Sequence, residues 1–142
     1  MASSYQIYKT QADPDQVMIQ LRRALGRRNL IEYAVIDHRH DMAERQVENP
    51  PWAYSLIFGS PVAGAKFMEK ALTSVADMPV RLGIYGGSEG SKIIYHTMSS
   101  LLEAHHPDLG GAGQKIDQLV QELCNESEAK LSEEMVSNAH QP

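Results

Sequence analysis

Only one cysteine, Cys124, stands among the 142 residues, so no disulfide can close within a single chain, and the composition fits a reducing compartment. No apolar run approaches the roughly 20 residues that a membrane-spanning helix requires. Met1-Ala2-Ser3-Ser4-Tyr5 lacks the basic stretch followed by an apolar one that marks a secretory leader. A soluble, cytoplasmic protein with no membrane partner is expected. Positive charge is also short: 13 Lys and Arg stand against 18 Asp and Glu, a formal net charge of −5. That balance argues against a dedicated nucleic-acid binder, whose affinity would rest on neutralising phosphates. Arg22, Arg23, Arg27 and Arg28 are a local exception at the end of the first predicted helix, where positive charge offsets the helix dipole.

What is present describes a globular chain. The sequence is 42% hydrophobic and 22% charged, and a chain of this length buries about 70% of the surface it exposes when unfolded, without help from disulfide or metal. One domain over residues 1–124 is expected. Residues 125–142, where Glu126, Glu128, Glu133 and Glu134 accumulate, read as an acidic, frayed extension of the last helix.

Patterning supplies the element order. Tyr5 to Thr10 alternates as a first strand, and Asp13-Pro14-Asp15-Gln16 opens a helix in which Asp13 caps and Val17, Leu21 and Leu25 form the apolar stripe, with Gly26 as terminator. Leu30 to Asp37 is a second strand, with Ile31, Tyr33 and Val35 on one face. Asp41-Met42-Ala43-Glu44 carries a capping-box pattern for a short helix that Asn49-Pro50-Pro51 ends. Trp52 to Phe58 is the next strand. Gly59-Ser60-Pro61 then turns into a helix whose core face would be Met68, Ala71, Leu72 and Val75. Val80 to Tyr85 and Lys92 to Thr97 form a hairpin around a glycine-rich tip, Gly86 to Ser91. A short helix from Met98 to about His106 follows. Gly110-Gly111-Ala112-Gly113 reads as a flexible link to a last helix carrying Ile116, Leu119, Val120 and Leu123, with Cys124 a packed thiol on its stripe.

The order β-α-β-β-α-β-β-α with hairpin links implies an α+β fold: one antiparallel sheet with its helices mainly on one face. The other face would be covered by a partner or left to water.

Several segments resemble the family catalogued as domain of unknown function 302. They are Ile36-Asp37-His38 at a strand end, Leu56-Ile57-Phe58-Gly59-Ser60-Pro61 leading to Gly64 and Met68, Met78-Pro79, and Ile94-Tyr95. The resemblance runs from Tyr5 to Leu123. It implies a TATA-binding-protein-like α+β sandwich and a homodimer, and it brings no established reaction. Ser60 departs from the Phe-Gly-Asn-Pro form of the motif, offering one hydroxyl in place of an amide, and the chain after Asn125 has no counterpart in the family.

Asp37, His38, His40 and Asp41 are the densest set of acid-base or ligand groups. His38 and His40, two apart, share a face if the strand continues, and His96 from another strand end would complete a metal site. Alternatively His38 bonds backbone at the strand end, Asp41 caps the short helix and His40 faces water. Asp37, His38 and His96 are the candidates for general acid-base work, although neighbours in a strand point to opposite faces. Asp37, His38 and Ser60 are the candidates for holding a small molecule or ion, Ser60 because a helix start presents amides to an anion. His105-His106 closes a helix before Pro107, where a cation suits the dipole.

The sequence therefore favours a homodimeric module for a small ligand or ion over an enzyme. The alternatives are acid-base or metal-assisted hydrolysis through Asp37, His38 and His96, and a module that engages another protein. The cofactor is left open, a divalent metal being weighed and disfavoured.

Overall fold

The structure is a computed structural model that describes residues 4–136. Six strands, β1 (Tyr5–Thr10), β2 (Ile31–Asp37), β3 (Trp52–Gly59), β4 (Val80–Gly87), β5 (Gly90–His96) and β6 (Lys130–Ser132), form one sheet in the order β2-β3-β4-β5-β1-β6. Every pairing is antiparallel. The helices are α1 (Pro14–Arg27), α2 (His38–Glu44), α3 (Pro61–Lys70), α4 (Met98–Glu103) and α5 (Leu109–Glu126), with a 3-10 turn at Leu72–Asp77.

Alternation along the strands divides the sheet into two faces. Tyr8, Leu56, Phe58, Leu82, Ile84, Ile93 and Tyr95 point to the helices and join Val17, Leu21 and Leu25 of α1 and Val120, Leu123 and Cys124 of α5 in the core. Burial pushes the Cys124 thiol up to about 12, so it is a packed group and no nucleophile at neutral pH. The opposite face carries Tyr5, Ile7, Ser55, Ile57, Gly83, Ile94 and His96; Ile7 is buried there, and Glu134 lies across Lys9 and Lys92 on the same side.

The first helix starts as its sequence predicts: Gln16 N donates to Asp13 Oδ1 at 2.9 Å, with Pro14 at the first position. It ends later than expected. Gly26 stays helical, and Asn29, at φ 58°, is the left-handed residue that lets Leu30 N reach Leu25 O. The arginines at this end are paired: Arg22 with Glu32, Arg27 with Glu126, and Arg28 with Glu126 and Glu122.

Four other expectations are corrected. A register shift between Glu32 and Ala34 breaks the alternation of β2, so Val35 pairs with the core residue Leu56 while Ala34 pairs with Ile57 on the opposite face. The helix after Gly59-Ser60-Pro61 stops at Lys70, Ala71 is extended, and the chain tightens into the 3-10 turn; Leu72 and Val75 are 72% and 59% exposed instead of forming a core face. Gly110 to Gly113 is no link but the first turns of α5. The crossing of α4 over α5 requires it: a Cβ on Gly113 would lie 2.6 Å from Ser99 N.

The fourth concerns the chain after Asn125. It does not continue as a fraying helix: Glu128 turns the backbone at φ 58°, Ala129 is buried, and β6 adds a sixth strand to β1. The acids there are partners, because Glu126 holds Arg27 and Arg28, and Glu134 holds Lys92 at 2.8 Å and Lys9 at 3.1 Å. The last part of that expectation, residues 137–142, lies outside the described residues.

Candidate functional site

The histidines singled out by sequence do not converge. Asp37 ends β2 and its carboxylate caps α2, accepting from His40 N at 3.0 Å; the short helix thus begins at His38, not after Asp41. The capping choice follows from the sheet, since pairing stops at Asp37 opposite Tyr54 and the chain must turn there. Asp37 is on the helix-covered side, as its partner Tyr54 is. His38 is on the other, with Nε2 2.8 Å from Ser55 Oγ and not on a backbone group. They form no acid-base pair.

His40 projects from α2 into solvent, near Asp41 and Glu44 at 3.5 and 3.4 Å. His96 stacks on Tyr5 across the β5–β1 pairing, ring centroids 4.4 Å apart. From the end of β2 to β5 is three strand spacings, about 14 Å, far beyond what two ligands of one metal can span. The expected His38–His40–His96 metal site is not formed, and no group of three or more His, Cys, Asp or Glu with metal-ligand geometry occurs among the described residues.

Ser60 stands differently. Its Oγ accepts from Ala63 N at 3.4 Å, the expected cap of α3, and the same residue lies on the wall of a cavity of about 510 Å³. The bond uses the oxygen and not the hydroxyl proton. Everything around it is apolar: Phe58, Phe67, Val80, Ile116 and Leu119 from the core side, and Met68, Met78 and Met98 from three different segments.

Local sequence builds this space. Small residues Ala63, Gly64 and Ala65 face it from α3, and a Cβ on Gly64 would lie 2.8 Å from Met78 Cε. Gly59 lies between Pro79 and Tyr33, whose ring the irregularity in β2 turns to that side; a Cβ there would meet Pro79 Cβ at 3.3 Å and the Tyr33 ring at 3.5 Å. Val75 lines the cavity while remaining 59% exposed, and Val62 and Leu72, on the neighbouring α3 and 3-10 turn, are 69% and 72% exposed. The apolar lining therefore continues to the surface, which a closed core would not do. Sequence reasoning reached only the Gly59-Ser60-Pro61 turn of this site and not the cavity. Its signal was the set of small residues after Ser60-Pro61 and the three methionines, which can adapt their shape to an occupant.

A second constellation joins residues far apart in the chain. His105, just beyond α4, places Nε2 2.6 Å from Asp77 Oδ2 and Nδ1 2.9 Å from Thr73 Oγ1. Asp77 and Thr73 belong to the 3-10 turn, which also presents Val75 to the cavity. On α5, Asp117 gathers Tyr95 OH and Ser99 Oγ, both at 2.5 Å, and Met98 N at 2.8 Å. Burial, and then the bond to Asp117, hold the Tyr95 hydroxyl protonated far above its ordinary range. This network caps α4 and is structural.

With sheet, helical layer and cavity defined, comparison with known proteins places the fold. The crystal structure of an uncharacterized conserved protein DUF302 from Bacillus stearothermophilus superposes with a TM-score of 0.80 at 13% identity, covering 89% of this chain and 99% of that one. Two layers of this topology are thus shared at low identity. The family model described as domain of unknown function DUF302 matches residues 6–126, and the chain belongs to that family. No curated protein matches the chain.

Proposed function

We propose that the protein binds a small apolar molecule, such as a medium-length acyl chain, in the cavity between α3, the 3-10 turn and α5. The observation that carries this reading is the cavity's character: about 510 Å³, lined by aliphatic, aromatic and thioether side chains, with Ser60 at its wall. Ligand sites of this size are largely apolar with few polar groups to orient the occupant. Ser60 supplies one such group, and its sequence candidacy as a ligand contact is kept on that ground. Asp37 and His38 are not part of this site, and no geometry favours the acid-base reading of Asp37, His38 and His96.

The module would act as a cytoplasmic homodimer. No helix among the described residues is long and apolar enough to cross a membrane. The sheet face away from the helices, with the half-buried Ile57 and Ile94 and the Tyr5–His96 stack, is the surface offered to a second copy. Sedimentation of the protein and of Ile94→Asp tests the dimer: loss of a dimer in the variant supports it, and a monomeric parent protein overturns it.

Titration with a dansyl-labelled undecanoic acid tests the cavity. Saturable blue-shifted fluorescence at one equivalent, lost in Ala65→Trp, is expected, because Ala65 is exposed on the cavity wall and a large ring there blocks entry with little cost to folding. Equal binding by both proteins would place the probe elsewhere.

A further inference from the structure

The Thr73–His105–Asp77 chain has the parts of a hydroxyl-activating relay. With Asp77 a carboxylate and the imidazole neutral, His105 Nε2 carries the proton toward Oδ2, and Nδ1 presents the lone pair that accepts from Thr73 Oγ1. The burial is graded in the useful direction: the His105 side chain is 16% exposed, Asp77 34%, and Thr73 is on the surface. A base shielded from water beside an accessible hydroxyl is the arrangement by which a carboxylate and an imidazole make a weak alcohol nucleophilic.

We propose that Thr73 is the nucleophile of an acyl-transfer site that takes esters of apolar carboxylic acids, with His105 as general base and acid and Asp77 as the positioning residue. The substrate class rests on the reading of the cavity as an apolar-ligand site. A 3-10 turn eclipses every third residue, so Leu72, Val75 and Met78 form one stripe, of which Val75 and Met78 line the cavity, and Thr73 stands beside that stripe. Thr73, Asp77 and His105 do not themselves line the cavity, so an acyl chain held there must extend past Val75 for its carbonyl to reach Thr73.

The step balances with no other reactant than water. Thr73 Oγ1 attacks the ester carbonyl while its proton passes to His105 Nδ1. The tetrahedral intermediate collapses with cleavage of the bond to the alcohol oxygen, which takes the proton from His105. Water, deprotonated by the same nitrogen, adds to the acyl carbonyl; the bond to Thr73 Oγ1 then breaks, Oγ1 takes back the proton from His105 Nδ1, and the carboxylic acid leaves.

The experiment uses p-nitrophenyl acetate and p-nitrophenyl decanoate with the full-length protein, acid quenching and mass mapping of the labelled peptide. The expected result is one p-nitrophenolate released rapidly per chain and an acyl group on Thr73. Thr73→Ala should abolish that label and Thr73→Ser restore it. His105→Gln should slow acylation by about 100-fold or more. Asp77→Asn should slow it without changing the melting temperature by more than that of Thr73→Ala, a pattern that a merely structural role would not give. Label on lysines alone, or an undiminished burst in Thr73→Ala, overturns the proposal. Acetyl and decanoyl esters reacting equally at Thr73 would sustain the relay and remove the apolar substrate class. Dansyl-undecanoate binding without any acyl-Thr73 would sustain the cavity and remove the relay.

Discussion

The two halves of the helical layer are built to different standards. Where α1 and α5 cover the sheet, Val17, Leu21, Val120, Leu123 and Cys124 are fully buried, helices cross at glycine contact, and the polar groups of Tyr95, Ser99 and Asp117 satisfy one another. Where α3 and the 3-10 turn cover it, a cavity remains and Val62, Leu72 and Val75 face water. Interiors are normally packed to crystal-like density, and the loose half departs from that. The contrast teaches that this fold concentrates its packing in one half, and the proposed binding site lies in the other, as binding regions are commonly drawn from the less stable end of a structure.

Several outcomes would break or sharpen that contrast. The largest effect belongs to the tight half: Gly113→Leu should destabilise by about 3 kcal/mol, because its side chain must displace the Ser99 backbone. Gly111→Ala, on the same helix with nothing within 4 Å, should instead stabilise by about 0.5 kcal/mol. Urea unfolding measures both, and equal effects would mean that α4 and α5 do not cross as described. Next, Asp117→Asn leaves the hydroxyls of Tyr95 and Ser99 and the Met98 amide with a neutral partner that has one accepting oxygen in place of two. A loss of about 2 kcal/mol is expected, again read from urea midpoints.

In the loose half, Leu72→Ser and Val75→Ser should each stay within about 0.5 kcal/mol of the parent protein, the range for exposed positions. Thermal melts that fall as far as for Asp117→Asn would show that the 3-10 turn is part of the core after all. The smallest effect concerns the edge strand. The bond to Lys92, then that to Lys9, holds the Glu134 carboxyl below its ordinary 4.5. A group depressed on folding stabilises above its unfolded pKa and ceases to do so as pH falls through the folded one. Amide exchange at Lys130–Ser132 should therefore quicken below about pH 4 while α5 stays protected; a pH-independent β6 would deny the ion pair its anchoring role.

Much of the architecture was legible in the chain because it is local. Asp13-Pro14 and Ser60-Pro61 cap where they stand, the strands alternate, and the glycine hairpin closes with Gly87 opposite Gly90. What escaped depends on tertiary partners. Four glycine and alanine residues in a row look like a link until Ser99 is seen packed against Gly113. The acids after Asn125 look solvated until Arg27, Arg28, Lys9 and Lys92 are found opposite them. The candidate sites follow the same rule. His38 and His40 are near in sequence but both fall in α2, because the strand ends at Asp37, and residues two apart on a helix do not share a face, whereas His105 is brought to Asp77 and Thr73 from 28 and 32 residues away. The cavity, an absence of atoms, has no residue of its own to read: its wall includes Phe58, Gly59, Gly64, Met68, Met78 and Pro79 from the family-like segments, but only Ser60 was read as a ligand contact.

The seven methionines permit the most direct test of an apolar ligand in the loose half. Met68, Met78 and Met98 line the cavity, whereas Met18 packs on α1 and Met42 lies on α2. With the methionine methyl groups carbon-13 labelled, titration with decanoate should move the Met68, Met78 and Met98 resonances together and saturably, leaving Met18 and Met42 in place. Shifts spread over all of them, or none at saturating decanoate, would contradict the assignment of the cavity as a binding site.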